Sequence, residues 1–149
     1  MAYPVCLDAS IIIKWLVPES DSDTALSLFS HLIDTGAALI EPVLVLYEVP
    51  SAMRRKVAKG QLAEDEAAEA FGKFQFLSTT LSISTEDRRR LQRAWEIAST
   101  YGLNAIYDSI YLALAEELGA ECWTADSRFY SMLSADFPQL KLLSEFTRG

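Results

Sequence analysis

The chain has 149 residues, 50% hydrophobic and 11% aromatic. This fits one domain, residues 1–149, with a sizeable core, and excludes disorder as the main state. Lys and Arg total 13 against 21 Asp and Glu, a net charge of −8, which argues against a general coater of duplex nucleic acid. Cys6 and Cys122 form no metal-binding pair and no disulfide framework, and the single histidine, His31, excludes a histidine-rich zinc site. Metal or acid–base chemistry must therefore rest on carboxylates.

Along the chain, Tyr3 to Leu7 is short, apolar and bounded, as a buried strand is. The N-terminus lacks a basic region and a long apolar stretch, so it does not read as a signal peptide. No apolar run reaches the ~20 residues of a membrane span, and the expected compartment is the cytoplasm. Asp21 to Thr35 reads as a helix with Leu26, Leu28, Phe29, Leu32 and Ile33 on its apolar face, ended by Gly36. Ala38 to Ile40 is a candidate strand. Pro42 to Lys59 reads as a helix carrying Pro50 inside it, where a backbone hydrogen bond is lost. Leu62 to Leu77 is a helix with an acidic side, Glu64, Asp65, Glu66 and Glu69. Thr80 to Ile83 is a further strand. Ser84 followed by Asp87 reads as the capped start of a helix that runs to about Tyr101.

Ala105 to Leu118 is the most apolar helix and is expected to be buried. Glu121 to Thr124 reads as a strand, Ser127 to Leu133 as a short helix and Leu140 to Leu143 as a last strand. Trp15, Trp95 and Trp123 read as core residues, and Cys6 and Cys122 as small core hydrophobes. Strands separated by helices imply a parallel sheet covered on both faces.

Four carboxylates stand out from the solvated acidic faces. Asp8 ends the first strand in VCLDAS. Glu48 sits in the apolar run VLVLYEV. Asp108 interrupts AIYDSIYLALA. Asp126 follows a strand in CWTADSRF. Taken singly, Asp8 and Asp126 read equally as helix caps, and Glu48 and Asp108 as partners of arginines. The conjunction is harder to explain so. Strand ends are where open α/β sheets place sites, and an isolated charge in an apolar helix is costly unless paired or metal-bound. Converging carboxylates repel and suit a hard divalent cation.

These motifs, in order and spacing, resemble PIN-domain proteins of the VapC toxin type over essentially the whole chain. The resemblance rests on VCLDASIIIKWL, PVLVLYEV, YDSIYLALA and TADSRF. It departs where the family often has asparagine three residues after the glutamate; here Ser51 stands there, preceded by Pro50. The resemblance implies a three-layer α/β/α sandwich around a parallel sheet of four or five strands. It also implies a metal-dependent endoribonuclease using Mg²⁺ or Mn²⁺, with Asp8, Glu48, Asp108 and Asp126 as catalytic and metal-binding residues. Ser10 and Thr124 are candidates to support those acids, and equally to cap helices or turns. Implied partners are an RNA substrate, a cognate antitoxin and a second copy of the chain, joined through the apolar side of the helix around Leu62 to Leu77.

Two basic groups are placed to track phosphates: Arg54, Arg55, Lys56 and Lys59, and Arg88, Arg89, Arg90 and Arg93, each of which reads also as a solvated helix face. Lys14, little more than a turn past Asp8, is placed to reach substrate. The alternatives are a PIN fold that has lost catalysis and only binds RNA or protein, and a different Mg²⁺ enzyme such as a phosphotransferase or receiver domain. A receiver calls for an acidic pair before the acceptor strand and a later strand-end lysine, neither of which is clear. No P-loop G-x-x-x-x-G-K occurs.

Overall fold

The computed structural model describes residues 2–148. The strands are β1 (Tyr3–Leu7), β2 (Ala37–Pro42), β3 (Ser82–Ser84), β4 (Glu121–Thr124) and β5 (Leu140–Leu142). The helices are α1 (Ala9–Leu16), α2 (Ser22–Asp34), α3 (Val45–Ala58), α4 (Glu64–Ser78), α5 (Arg88–Tyr101), α6 (Tyr107–Leu118) and α7 (Ser127–Leu133). All strand pairs are parallel, in the order β3-β2-β1-β4-β5. Successive parallel strands need crossovers, and the helices supply them, giving the expected α/β/α layering. The order reverses between β1 and β4, so β1 runs to one side through β2 and β3 while β4 and β5 build the other. Such a switch point opens a crevice at the carboxyl ends of the two strands.

The core gathers around β1 and α6. Val5, Cys6 and Leu7 are fully buried, as are Tyr111, Leu112 and Leu114. Helix α6 lies against β1, β2 and β4, with α5 packed on it, while α1 contacts α2, α3 and α4. Helices α5 and α6 end on Gly102 and Gly119, with φ of 65° and 62°, a left-handed conformation that glycine adopts without a Cβ clash. Cys6 and Cys122 face each other in register, both buried and unbridged, as core hydrophobes. Among the described residues no helix is long and apolar enough to cross a membrane.

Several sequence expectations are corrected. Helix α5 is capped by Asp87, which accepts the Arg89 N–H at 2.8 Å; Ser84 instead lies in β3, where its hydroxyl accepts a hydrogen bond from Arg90. Arg90 is not a solvated cation. It is buried, bonded to Glu117 at 3.0 Å and to the Thr85 carbonyl at 3.0 Å. Trp95 is 61% exposed rather than in the core, because Arg90, Ala94, Ile97 and Ala98 form the inward stripe of α5.

Candidate active site

Asp8 and Asp126 occupy equivalent places, one residue past β1 and two past β4, and each caps the helix that follows. Asp8 Oδ1 accepts the Ser10 N–H at 2.9 Å and the Ser10 hydroxyl. Asp126 Oδ1 accepts the Arg128 and Phe129 N–H groups, both at 3.0 Å. The Ser10 hydroxyl oxygen also accepts the Ala125 N–H at 3.0 Å, stitching the end of β1 to the end of β4. Thr124, fully buried, accepts the Asp126 N–H at 3.1 Å. Both hydroxyls thus hold the strand ends in place.

Glu48 comes from the first turn of α3, fixed by the buried Val45 and Val49 on either side of it. Asp108 comes from the first turn of α6, which begins at Tyr107 rather than Ala105. Asp108 caps nothing and, like Glu48, forms no salt bridge among the described residues, so the cap and arginine-pair explanations of these two acids do not apply. Arg55 nonetheless sends some positive charge toward Glu48.

The acids meet at the switch-point crevice. Glu48, Asp108 and Asp126 line one cavity of about 340 Å³. Glu48 and Asp108, with Ser10, line another of about 340 Å³ that also holds Arg55, Lys56 and Lys59. Asp8 is 3% exposed and sits beneath them. Burial pushes the Asp8 carboxyl up to about 6 against the pull of the Ser10 and Thr124 hydroxyls, and Glu48 adds to the rise. Burial, then the charges of Asp8 and Asp126, lift Asp108 to about 6. Glu48 is raised by burial and by Asp108, and lowered by the Tyr111 hydroxyl. That hydroxyl faces Glu48 without a hydrogen bond of good geometry. Asp8 thus lies in the field of Glu48, Glu48 in that of Asp108, and Asp108 in that of Asp8 and Asp126. Among the described residues no three His, Cys, Asp or Glu side chains close around a point as a ready-made metal cage. The acids border a space instead.

Glu41 is a buried acid that the sequence reading passed over. It is fully buried in β2, where its Oε1 accepts the Leu7 N–H at 2.7 Å and its Oε2 has no partner. Burial, with the charge of Asp8 adding to it, raises its pKa well above the ordinary range, against the pull of the Leu7 N–H. The available signal was a lone acid inside the apolar run ALIEPV.

The expected RNA-contacting cations separate. Arg55 lines the acidic crevice, with Lys56 and Lys59 beside it. Arg54 does not: it points toward α4 and makes a paired contact with Glu64 at 2.7 and 3.0 Å. Lys14 is largely covered, held near Glu19 at 3.6 Å and Asp21 at 3.9 Å. Lys56 also bonds Glu19, at 2.8 Å.

Comparison with known proteins places this fold. The PIN domain family matches residues 5–132. Ribonuclease VapC3 of Pyrobaculum aerophilum is 29% identical over 134 residues, 90% of this chain and 95% of that one. VapC20 of Mycobacterium tuberculosis, described as a sarcin–ricin loop cleaving toxin, shares the fold with a TM-score of 0.67 at 18% identity, over 89% of this chain and 95% of that one. A toxin–antitoxin complex from Klebsiella pneumoniae contains a chain of the same fold, TM-score 0.64 at 18% identity, over 95% of this chain and 99% of that one.

Proposed function

The chain belongs to the PIN-domain family, and from that premise we propose that it is a metal-dependent endoribonuclease, the toxin of a toxin–antitoxin pair acting in the cytoplasm. The observation that carries this reading is the crevice itself. Glu48, Asp108 and Asp126 border one space above Asp8, none of them in a salt bridge among the described residues, with Arg55, Lys56 and Lys59 on one flank. The relative named a ribonuclease aligns across nearly the whole chain, which supports the same activity.

The donor set is all oxygen, and it borders a space without closing on it. That fits Mg²⁺ or Mn²⁺, which keep water ligands and need only part of their coordination from protein. Asp8 and Asp108 would hold the ion directly, with Glu48 and Asp126 completing the set directly or through water. Such an ion supplies a water of lowered pKa and neutralises charge on the phosphate oxygens. The chain's own residues do the remaining work. Ser10 and Thr124 keep Asp8 ionised and oriented by hydrogen bonding. Glu48, which lines both cavities, would take the proton of the attacking water on a carboxylate oxygen. Arg55 and Lys59 hold the backbone of the RNA that continues along their side of the crevice.

The antitoxin would cover apolar surface and present a cation to the acids. A second copy of the chain would join through α4, whose Phe71 and Phe76 are 42% and 76% exposed. The test is mapping of total RNA after induced expression of wild type and of Asp108→Asn, together with cleavage by the purified proteins with Mg²⁺ or EDTA. New, discrete ends are expected with wild type alone and only with metal. Equal cleavage by the two proteins from identical purifications would refute the proposal.

A further inference from the structure

The two cavities share Glu48 and Asp108, but their other walls differ in chemistry. The first is flanked by Arg55, Lys56 and Lys59, groups that suit phosphates. The second opens between the α5–α6 connection and α7. Its walls include Leu103, Tyr107, Phe129 and Met132, with Asn104 and Arg128 at polar positions. Tyr107 is 52% exposed and Met132 39% exposed, both large apolar side chains left open at the edge of an otherwise acidic centre. Tyr107 precedes Asp108 directly on the first turn of α6, so its place relative to the acids is fixed by the helix.

We infer that this second cavity is a subsite for one unstacked nucleobase next to the phosphate that is cut. The inference rests on the ribonuclease reading above and adds to it the form of the substrate. A phosphate held over the shared acids has its chain continuing on the cationic side, so the nucleoside attached to it faces the other. There a cavity of about 340 Å³ lies within the range of small-molecule sites and offers an aromatic ring as a platform. Stacking on Tyr107, with the thioether of Met132 alongside, tolerates any base, while Asn104 and Arg128 supply donors and acceptors for its edge. A base inside a duplex cannot enter, so the subsite selects single-stranded or looped RNA.

The experiment uses a set of seven-residue oligouridylates, each with 2-aminopurine at a different position, bound to the wild-type protein with Ca²⁺ in place of Mg²⁺. Quenched 2-aminopurine emission at one register is expected for wild type and for Tyr107→Phe, but not for Tyr107→Ala. Affinity at that register should fall about five-fold or more in Tyr107→Ala. Lys59→Gln should weaken every register alike. Tyr107 is half exposed at a helix start, and Met132→Ala gives a second probe of the same wall from a different element. Absence of quenching at all registers in wild type overturns the subsite. So does a folded Tyr107→Ala with wild-type quenching and affinity. Tyr107-dependent quenching by a protein that cuts no RNA would leave the subsite standing and refute the ribonuclease reading. Cleavage at unchanged rate and position by Tyr107→Ala would do the reverse.

Discussion

Replacing Asp8 with asparagine should make the metal-free protein more stable at neutral pH. Asp8 is 3% exposed, and its carboxyl is pushed up from 3.8 to about 6, chiefly by burial. A carboxyl raised in the native state contributes stability in full below its unfolded value. That contribution is lost as pH rises through the native value. For Asp8 the loss begins near pH 4 and is complete by about pH 7, where it amounts to about 3 kcal/mol. At pH 4.5 only about a third of it has developed, by the same linkage. Asparagine keeps an oxygen to accept the Ser10 N–H and is a good helix cap, so the start of α1 survives the change. Allowing for water entry around the ionised group, we expect a net gain of about 2 kcal/mol at pH 7.5. For a chain of this size that is a rise in Tm of roughly 4 to 8 °C. The assay is thermal unfolding in EDTA at pH 7.5 and 4.5, where the gap should be largest at the higher pH. Adding Mg²⁺ should raise the wild-type Tm more than that of the variant, since binding to the native state adds stability. A variant less stable than wild type at both pH values would refute the reasoning, because Asp8 would then stabilise the fold through its charge.

Asp108→Asn should reduce RNA cleavage more than about 100-fold, beyond the loss usual for an outer partner of a metal site, with an unchanged circular dichroism spectrum. Cleavage rate should fall as pH drops through about 6, where Asp8 and Asp108 take up protons, and raising Mg²⁺ should move that limb to lower pH because metal and protons compete for the same oxygens. Ser10→Ala should move the limb upward, since it removes a hydroxyl that favours ionised Asp8. Glu41→Gln should unfold within about 1 kcal/mol of wild type in urea, whereas Glu41→Leu should cost about 1–3 kcal/mol by leaving the buried Leu7 N–H without an acceptor.

The elements nearest the crevice were legible because their signals are local. Strands β1 and β4 are bounded apolar runs followed by capping acids, and α5 and α6 stop at glycines. The acids could be singled out because charge was out of place in an apolar setting. Features that depend on distant partners were not legible. Strand β2 runs to Pro42 instead of stopping at Ile40, because Ile40, Glu41 and Pro42 pair with Ser82, Ile83 and Ser84 of β3, some 40 residues away. Sequence proximity also failed for the cations. Successive helical residues point about 100° apart, so Arg54 reaches α4 while Arg55 reaches the crevice. Ser84 and Asp87 are both competent caps, and the choice fell to Asp87 only because Ser84 pairs with Pro42 in the sheet.

The sequence posed Asp8 and Asp126 as either helix caps or site residues, and the fold makes that division unnecessary. Each uses Oδ1 to accept backbone N–H groups at the start of a helix, α1 or α7, right after a parallel strand. A helix start is electropositive, so the backbone itself offsets part of the charge that the acids bring together. The Ser10 and Thr124 hydroxyls, with the Ser10 N–H adding to them, keep Asp8 near 6 despite nearly complete burial, low enough to be ionised at neutral pH. Much of the fixed positive charge is meanwhile occupied elsewhere: Lys14 with Glu19, Arg54 with Glu64, Arg90 with Glu117 and Arg93 with Glu116. A lysine or arginine locked onto the crevice acids would satisfy them permanently and leave nothing for an exchangeable cation to do. Backbone dipoles can hold the acids in place without neutralising them outright. The crevice therefore keeps carboxylates without salt-bridge partners among the described residues where the ends of β1 and β4 meet α3 and α6.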